Sequence, residues 1–251
     1  MLLGAVALAQ VPTVNPGGIE NAAGLGHSTT IAPGSLISIF GSDLASDLSV
    51  ASSATLSMSL GDVDSVMING MPAPLSFVST GQINAQAPWE LTPGQVTVVV
   101  TRKGVSSQPV IAQASQFSPA LYSFNNGTTQ AIAINPDGTF AAAAGAIMGA
   151  TSHPAAAGDA LVFYASGLGP VDQTPPDGAN GGQTLRQTTT PLQMVVGSSP
   201  ANVFFAGLSP QFTGLYQVNA TLPAGAAGAA VPVQLMIGGV TSADTLTIAM
   251  Q

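Results

Sequence analysis

Two stretches of this 251-residue chain are near copies of each other, and this duplication is the strongest constraint on its fold. Residues 82–88 read QINAQAP and residues 217–223 read QVNATLP, an offset of 135 residues. The same offset relates their continuations, 98–107 and 233–242, without a gap. Self-similarity at a fixed period indicates repeated structural units. The chain is therefore predicted to contain two copies of one domain.

A second pair of matching stretches shows where the copies differ in length. Residues 34–44 align with 158–168 at an offset of 124, so the second copy is longer by about eleven residues. Most of the excess lies in 172–191, a polar stretch with two Pro/Gly clusters. Such a segment is typical of an exposed loop.

Short apolar runs bounded by glycine, proline and Asn-Gly recur along both halves, as is typical of strands joined by tight turns. Asn69-Gly70 follows the run 66–68 and predicts a hairpin whose returning strand covers 73–78. A second hairpin, 129–135 with 139–140, is assigned to the second half. The segment 141–150 is at most one short helix, because glycines interrupt it. The other predicted strands are 35–41, 96–101, 110–114, 159–165, 194–197, 201–206, 231–237 and 245–249.

These signals predict an all-β fold of two tandem immunoglobulin-like antiparallel β-sandwich domains related by internal duplication, with closed barrels as the structural alternative. The first domain is assigned to residues 11–116 and the second to 117–251. Residues 1–10 are apolar and contain Ala7-Leu8-Ala9, the small-x-small pattern that signal peptidases cleave. They are interpreted as a signal-peptide remnant, which implies an exported, extracellular or cell-surface protein, or alternatively as an apolar N-terminal strand.

The charge balance excludes several classes of function. Only 6% of residues are charged, and three Lys and Arg residues stand against eleven Asp and Glu residues. Nucleic-acid binding is excluded, because the chain lacks the cations that would neutralise a run of phosphates. No apolar run approaches the length of a membrane span. The chain has no cysteine, so disulfides and thiolate chemistry are excluded.

Longer motifs in both halves resemble a known family. The resemblance lies in 32–41 (APGSLISIFG) and 69–88 of the first half, and in 164–169 (YASGLG), 206–210 (AGLSP) and 214–219 (GLYQVN) of the second. These motifs resemble the Solibacter uncharacterised C-terminal domain family of secreted acidobacterial proteins. Each half also resembles the IPT/TIG immunoglobulin-like sandwich. The resemblance implies an extracellular β-sandwich and brings no established activity.

No constellation of catalytic residues is apparent. The only histidines, His27 and His153, lie in loop-like sequence, and no G-x-S-x-G elbow is present. Glu20 and Glu90 are the only glutamates, and both are interpreted as solvated loop acids rather than a glycosidase pair. We therefore predict that the protein is not an enzyme.

Oxygen-rich turns offer a candidate calcium site. Asp62 with Asp64, and Asp137 with Asn135, place oxygen ligands on predicted turns. Their spacing matches no EF-hand loop, and Asp and Asn also form turns without a metal. No cofactor is assigned, with calcium as the alternative.

Trp89 and the repeated amides are the remaining candidate site residues. Trp89 is the only tryptophan, and the second copy has Ala224 in its place. It is interpreted as a core or inter-domain plug, with a sugar-stacking platform as the alternative. Gln82 with Asn84, and Gln217 with Asn219, have period-2 spacing that places each pair on one strand face. They are interpreted as structural amides that hydrogen-bond adjacent loop backbone.

Three functional hypotheses follow, and the first is preferred. It is a non-catalytic, secreted or cell-surface structural or adhesive protein. Residues 1–14 could then add as a strand to a neighbouring molecule and build a homo-polymeric filament. The second is a module that binds an extracellular glycan through Trp89 or the 172–191 loop, and the third is a hydrolase.

Overall fold

The computed structural model describes residues 10–124 and 128–251. In these ranges the backbone forms strands and turns without any helix, which agrees with the expectation of at most one short helix at 141–150. That segment instead makes a succession of turns, in which Gly145 and Gly149 adopt φ values of 73° and 75°. Alanine favours helix, but two residues in the left-handed region within five positions prevent helical hydrogen bonding.

The strands of the first half form two sheets. Sheet 1 has the order β1-β3-β8-β7-β4, and sheet 2 has the order β2-β11-β9-β5-β6 with β10 beside β9. Pairing is antiparallel except for β2 with β11. The strands are β1 (Thr13–Asn21), β2 (Thr30–Ile31), β3 (Leu36–Ser42), β4 (Ser49–Val50), β5 (Val63–Ile68), β6 (Met71–Pro72), β7 (Leu75–Val78), β8 (Gln82–Gln86), β9 (Gly94–Arg102), β10 (Val105–Ser106) and β11 (Val110–Ala114).

The strands of the second half form two more sheets. Sheet 3 has the order β15-β14-β13-β16-β20-β19 with β12 also beside β16, and sheet 4 has the order β18-β17-β21-β22 with β23 beside β21. The strands are β12 (Ala120–Leu121), β13 (Ala133–Ile134), β14 (Phe140–Ala141), β15 (Ser152–His153), β16 (Ala160–Ser166), β17 (Leu192–Val196), β18 (Ser199–Pro200), β19 (Asn202–Leu208), β20 (Tyr216–Thr221), β21 (Gly228–Ile237), β22 (Val240–Thr241) and β23 (Leu246–Met250).

Each half has its own hydrophobic core. The core of the first half draws its buried side chains from Val14 to Ala114, and the core of the second draws them from Phe117 to Met250. Burying one large apolar side chain contributes about 1.5–3 kcal/mol, so the alternating inward residues of each sandwich stabilise it independently. The predicted all-β fold of two immunoglobulin-like sandwiches is thus confirmed. The division at 116/117 remains a proposal, which the separation of the two cores supports.

The internal duplication is preserved in the strand register. Phe40 pairs with Gln82 across β3 and β8, and Tyr164 pairs with Gln217 across β16 and β20. Two residues away, Asn84 and Asn219 occupy equivalent places opposite β3 and β16. A one-residue slip in register would move every side chain to the opposite face of a sheet. Because the register is the same in both copies, equivalent side chains lie on equivalent faces of their sheets.

The returning strand of the predicted 66–78 hairpin is much shorter than expected. Asn69 and Gly70 both have positive φ and form the turn, but only Met71–Pro72 pairs back with β5. The chain then crosses to the other sheet and continues as β7. Pro72 and Pro74 explain this, because neither has an N–H to donate to a ladder.

The segment 13–21 is a strand that the sequence analysis missed. β1 pairs with β3, and its register shifts between Val14 and Ile19, where Pro16-Gly17-Gly18 forms a bulge. The bulge interrupts the period-2 pattern that identifies strands. Val14 is 3% exposed and belongs to the first core. The C-terminal end of the segment proposed to join a neighbouring molecule therefore lies in its own sheet.

The predicted signal-peptide remnant falls on residues 1–9, outside the described residues, and on the exposed Gln10. In the part of the chain that the structure describes, no helix is long and apolar enough to cross a membrane.

Candidate functional site

A groove lies between the two halves, with a cavity volume of about 690 Å³. Its first wall is the outward face of sheet 1, where period-2 alternation turns Ile83 and Ala85 into the core and Gln82 and Asn84 away from it. Its second wall belongs to the segment that follows β12. The side chains that define it are Glu20, Ser38, Phe40, Gln82 and Asn84 from the first half, and Tyr122 and Phe124 from the second.

The two amides in the groove are hydrogen-bonded to each other. Gln82 Nε2 donates to Asn84 Oδ1 at 2.7 Å, and Ser38 Oγ donates to the same oxygen at 3.2 Å. The predicted bonds from these amides to adjacent loop backbone are therefore not observed. In the described residues Gln82 Oε1 and Asn84 Nδ2 have no protein partner, and neither is a buried orphan atom. The groove thus offers one amide acceptor and one amide donor.

The second half repeats this arrangement. Gln217 Nε2 donates to Asn219 Oδ1 at 2.9 Å, on the outward face of β20. Tyr164 lies opposite Gln217 on β16, as Phe40 lies opposite Gln82 on β3. All of these side chains are half-buried. Each sandwich therefore presents an aromatic ring beside a Gln–Asn pair.

Glu20 is a groove residue rather than the solvated loop acid that the sequence suggested. It lies on β1 and is half-buried. Burial raises the pKa of the Glu20 carboxyl, the Asp244 carboxylate raises it further, and His27 partly offsets both. The missed β1 strand explains the error, because it carries Glu20 alongside Ser38 of β3.

A more apolar groove of about 570 Å³ adjoins the first and shares Ala22, Asn84 and Tyr122 with it. Its large apolar residues are Leu36, Val50, Leu56, Phe212 and Leu215. Phe212 is 55% exposed although it is a large apolar side chain. The combined cleft therefore passes from a polar end to an apolar end.

Trp89 lies in the contact between the two halves and lines neither groove. Its ring packs against the core of the second half, and its backbone N–H donates to Asp177 Oδ1 at 3.0 Å. Gly34 leaves room for the ring, because a β-carbon there would overlap it. The interpretation of Trp89 as an inter-domain plug remains a proposal, which this position supports, and the ring lies outside both grooves.

The loop 172–191 was expected to be exposed, but only part of it is. Its ends are exposed, but Gly178 is buried and donates its N–H to Gln86 Oε1 at 2.7 Å. Leu56 N–H donates to the carbonyl of Gly178 at 2.8 Å. The middle of the loop therefore hydrogen-bonds the second half to the first. Fewer residues of the loop are then free to contact a ligand.

Neither histidine forms part of a triad. His27 Nδ1 hydrogen-bonds to the Asp244 carboxylate, and in the described residues no serine or threonine hydroxyl bonds to either imidazole ring. Both ring nitrogens of His153 are occupied, one by the Pro154 carbonyl and one by Asp137 Oδ2 at 3.0 Å. The arrangement supplies no activated nucleophile.

The three aspartates among the candidate calcium ligands are engaged with protein groups, whereas Asn135 Oδ1 is buried and has no hydrogen-bond partner among the described residues. Asp62 accepts hydrogen bonds from Ser46, from Arg102 Nε at 2.8 Å and from Lys103 Nζ at 3.2 Å. Asp64 accepts the Gly104 N–H at 2.7 Å. In the second pair, Asp137 bonds Thr139 and His153. No group of three His, Cys, Asp or Glu side chains suited to a metal is present within the described ranges.

Fold and site together define a tandem of two immunoglobulin-like β-sandwiches with a groove between them. Residues 27–119 match the family model described as the IPT/TIG domain. This match covers the first sandwich except for β1 and supports the immunoglobulin-like part of the sequence prediction. A comparison with curated protein sequences found no match.

Three solved structures show a weak likeness. SGBP-B of a Bacteroides ovatus mixed-linkage glucan utilization locus is 10% identical, with 89% of this chain and 44% of that chain covered and a TM-score of 0.38. SGBP-B of a Bacteroides uniformis xyloglucan utilization locus is 9% identical, with 96% and 50% covered and a TM-score of 0.28. A γ-CGTase from alkalophilic Bacillus clarkii is 11% identical, with 96% and 26% covered and a TM-score of 0.30. The chain spans half or less of each, and such low TM-scores carry no functional argument.

Proposed function

We propose that this protein is a non-catalytic extracellular module that binds carbohydrate in the groove between its two sandwiches. The observation that carries the proposal is the Gln82–Asn84 pair, which keeps one free acceptor and one free donor beside the rings of Phe40 and Tyr122. A protein binds a sugar ring through hydrogen bonds and through aromatic packing. The hydroxyls of the sugar bond amide donors and acceptors, and its C–H face packs on an aromatic side chain.

The charge of the groove supports a neutral ligand. No lysine or arginine is among the residues that line either groove, and Glu20 carries the only carboxylate. The three cations of the chain are used elsewhere. Arg102 and Lys103 pair with Asp62, and Arg186 donates to the carbonyls of Gln173 and Gly181. An acidic polysaccharide would meet no compensating charge and would face a net charge of −8.

The test is affinity gel electrophoresis with soluble neutral polysaccharides, including a β-glucan, a galactomannan and a xylan, and with alginate as the acidic comparison. We expect at least one neutral polysaccharide to retard the wild type, and we expect Phe40→Ala and Gln82→Ala to reduce the retardation at least tenfold. Matched controls are Ile111→Ala and Gln95→Ala, exposed residues on the other sheet of the same sandwich. Equal retardation of all five proteins, or none with any polymer, would overturn the proposal.

A structural or adhesive role is the second candidate, and the edge of sheet 3 favours it. β19 ends that sheet; residues 186–188 bond its C-terminal part, and its N-terminal part carries Phe204, which is 55% exposed. Strand addition at this edge would build an open homo-polymer. Because Val14 is a core residue, the test deletes residues 1–10 rather than 1–14. Electron microscopy should show filaments for the full chain and none after the deletion; a full chain without filaments excludes this candidate.

The proposed location is extracellular. The apolar residues 1–9 with their small-x-small pattern and the resemblance to secreted acidobacterial proteins support it. Export into the periplasm or medium of a bacterial host, followed by N-terminal sequencing, tests both the location and the cleavage.

A further inference from the structure

The aromatic–amide arrangement occurs twice, but only the first copy lies in the groove. Tyr164, Gln217 and Asn219 hold the places of Phe40, Gln82 and Asn84, with the same register and the same side-chain hydrogen bond. Gln217 Oε1 and Asn219 Nδ2 have no protein partner within the described residues, and neither is a buried orphan. The second set therefore has the same free donor and acceptor.

The second set is laterally continuous with the groove. Tyr122, which lines the groove, donates its backbone N–H to the Tyr164 carbonyl at 2.9 Å. Tyr164 in turn pairs with Gln217 on β20. The flanking residues of β12 and β16, Leu121 and Ala165, are buried in the core. Since neighbours across a sheet share a face, Tyr122, Tyr164 and Gln217 form one row on the outward face of sheet 3.

We propose that the second sandwich carries its own carbohydrate subsite, formed by Tyr164, Gln217 and Asn219, and that a long neutral glycan chain contacts both subsites through Tyr122. This inference rests on the proposed function of the groove. It adds a second site, a bivalent mode of binding and a dependence on ligand length.

The two subsites differ in polarity, which separates them experimentally. In the second subsite, Val162 occupies the position that Ser38 has in the first. Ile134 likewise occupies the position that Glu20 has in the first. The second subsite has no carboxylate in this row, so its affinity is independent of the ionisation of Glu20. Its apolar flank favours sugars with an extended C–H face, such as β-linked glucose or mannose chains.

Linking two subsites through one ligand raises affinity without new contacts. We therefore expect a long neutral polymer to bind the wild type at least tenfold more tightly than a disaccharide or trisaccharide of the same sugar. Isothermal titration with the short oligosaccharide should give two sites per chain for the wild type and one for Phe40→Ala or Gln217→Ala.

The decisive variants are Tyr164→Ala and Gln217→Ala, with Gln234→Ala as the matched control on sheet 4, where the side chain is exposed. Each should leave short-ligand binding at the first subsite intact and weaken polymer binding at least tenfold. If Tyr164→Ala fails to fold by circular dichroism, Gln217→Ala carries the test alone. One site per chain in the wild type, with polymer affinity unchanged in Gln217→Ala, overturns this inference and leaves the groove proposal standing. Absence of any neutral-glycan binding overturns both.

Discussion

At the scale of single residues, the repeated asparagines should have small structural roles of the same kind. Asn84 and Asn219 are half-buried, and each accepts a bond from the neighbouring glutamine; Asn84 also accepts one from Ser38 Oγ. We expect Asn84→Ala and Asn219→Ala each to lower the free energy of unfolding by about 0.5–1.5 kcal/mol per lost bond, with the larger loss at Asn84. Urea denaturation measures it, with the exposed Asn202→Ala as control. A loss confined to one position would show that the two copies use the pair differently.

Gly34 offers a second test at this scale. Its φ is +71°, and an added β-carbon would meet the Trp89 ring, whereas Gly138 has a φ of +86° with nothing within 4 Å. Both alanine variants incur the backbone cost, about 1 kcal/mol. Only Gly34→Ala incurs the overlap, which adds about 1–3 kcal/mol. Denaturation of the two variants should therefore differ by that amount, and equal losses would contradict the contact between Gly34 and Trp89.

At the scale of elements, the β5–β9 end of the first sandwich should make stability acid-sensitive. Burial alone would raise the pKa of Asp62, but hydrogen bonds from Ser46, Arg102 and Lys103 outweigh it and hold that pKa well below its ordinary value. A depressed folded-state pKa stabilises the protein above the unfolded value near 3.8, and this contribution is lost as pH falls below it. Asp62→Asn should therefore lose stability at pH 7 and respond less between pH 5 and pH 3 than the wild type.

Thermal midpoints at pH 3, 5 and 7 measure this effect, with the exposed Asp47→Asn as control. Identical acid responses in wild type and Asp62→Asn would disprove this role of Asp62.

Between pH 5 and 9 the thermal midpoint of the wild type should change by less than about 10 °C, because few groups titrate there. Burial raises the pKa of Glu20, and the Pro154 carbonyl and Asp137 raise that of the exposed His153. A raised folded-state pKa means that the folded protein favours the protonated group. The contributions of Glu20 and His153 to stability are therefore present at low pH and are lost as pH rises through the folded-state pKa of each group.

At the scale of the whole molecule, the interface should make the two sandwiches unfold together. Trp89, Asp177 and the Gln86–Gly178 bond connect them, and Asn21 Nδ2 adds a bond of 2.6 Å to the Ser118 carbonyl. Calorimetry should show one transition for the wild type. Trp89→Ala removes an aromatic contact with the second core, which costs about 3 kcal/mol or more, and it should separate two transitions.

Gln183→Ala is the matched control, because Gln183 is an exposed residue of the same loop. Two transitions in the wild type would mean that the contact between the halves is too weak to couple them.

The amino-acid sequence by itself determined the fold class, the duplication and most strand positions. Period-2 patterns, Asn-Gly turns and a constant offset are local or repetitive signals, so β3, β11 and β16 were predicted within one or two residues. Local signals failed at β1, where a Pro-Gly-Gly bulge interrupts the alternation, and at Pro72, where the chain changes sheet.

Only the tertiary structure decided the site. The groove exists because Tyr122 and Phe124 face Phe40 and Asn84 from a different sandwich, and Trp89 lies between the two halves, where Asp177, 88 positions away, accepts its backbone N–H. Contacts of that separation depend on how two complete cores dock, and no local pattern encodes them. The sequence therefore specified two copies of one surface, and their packing decided which copy became a groove and which remained an open face.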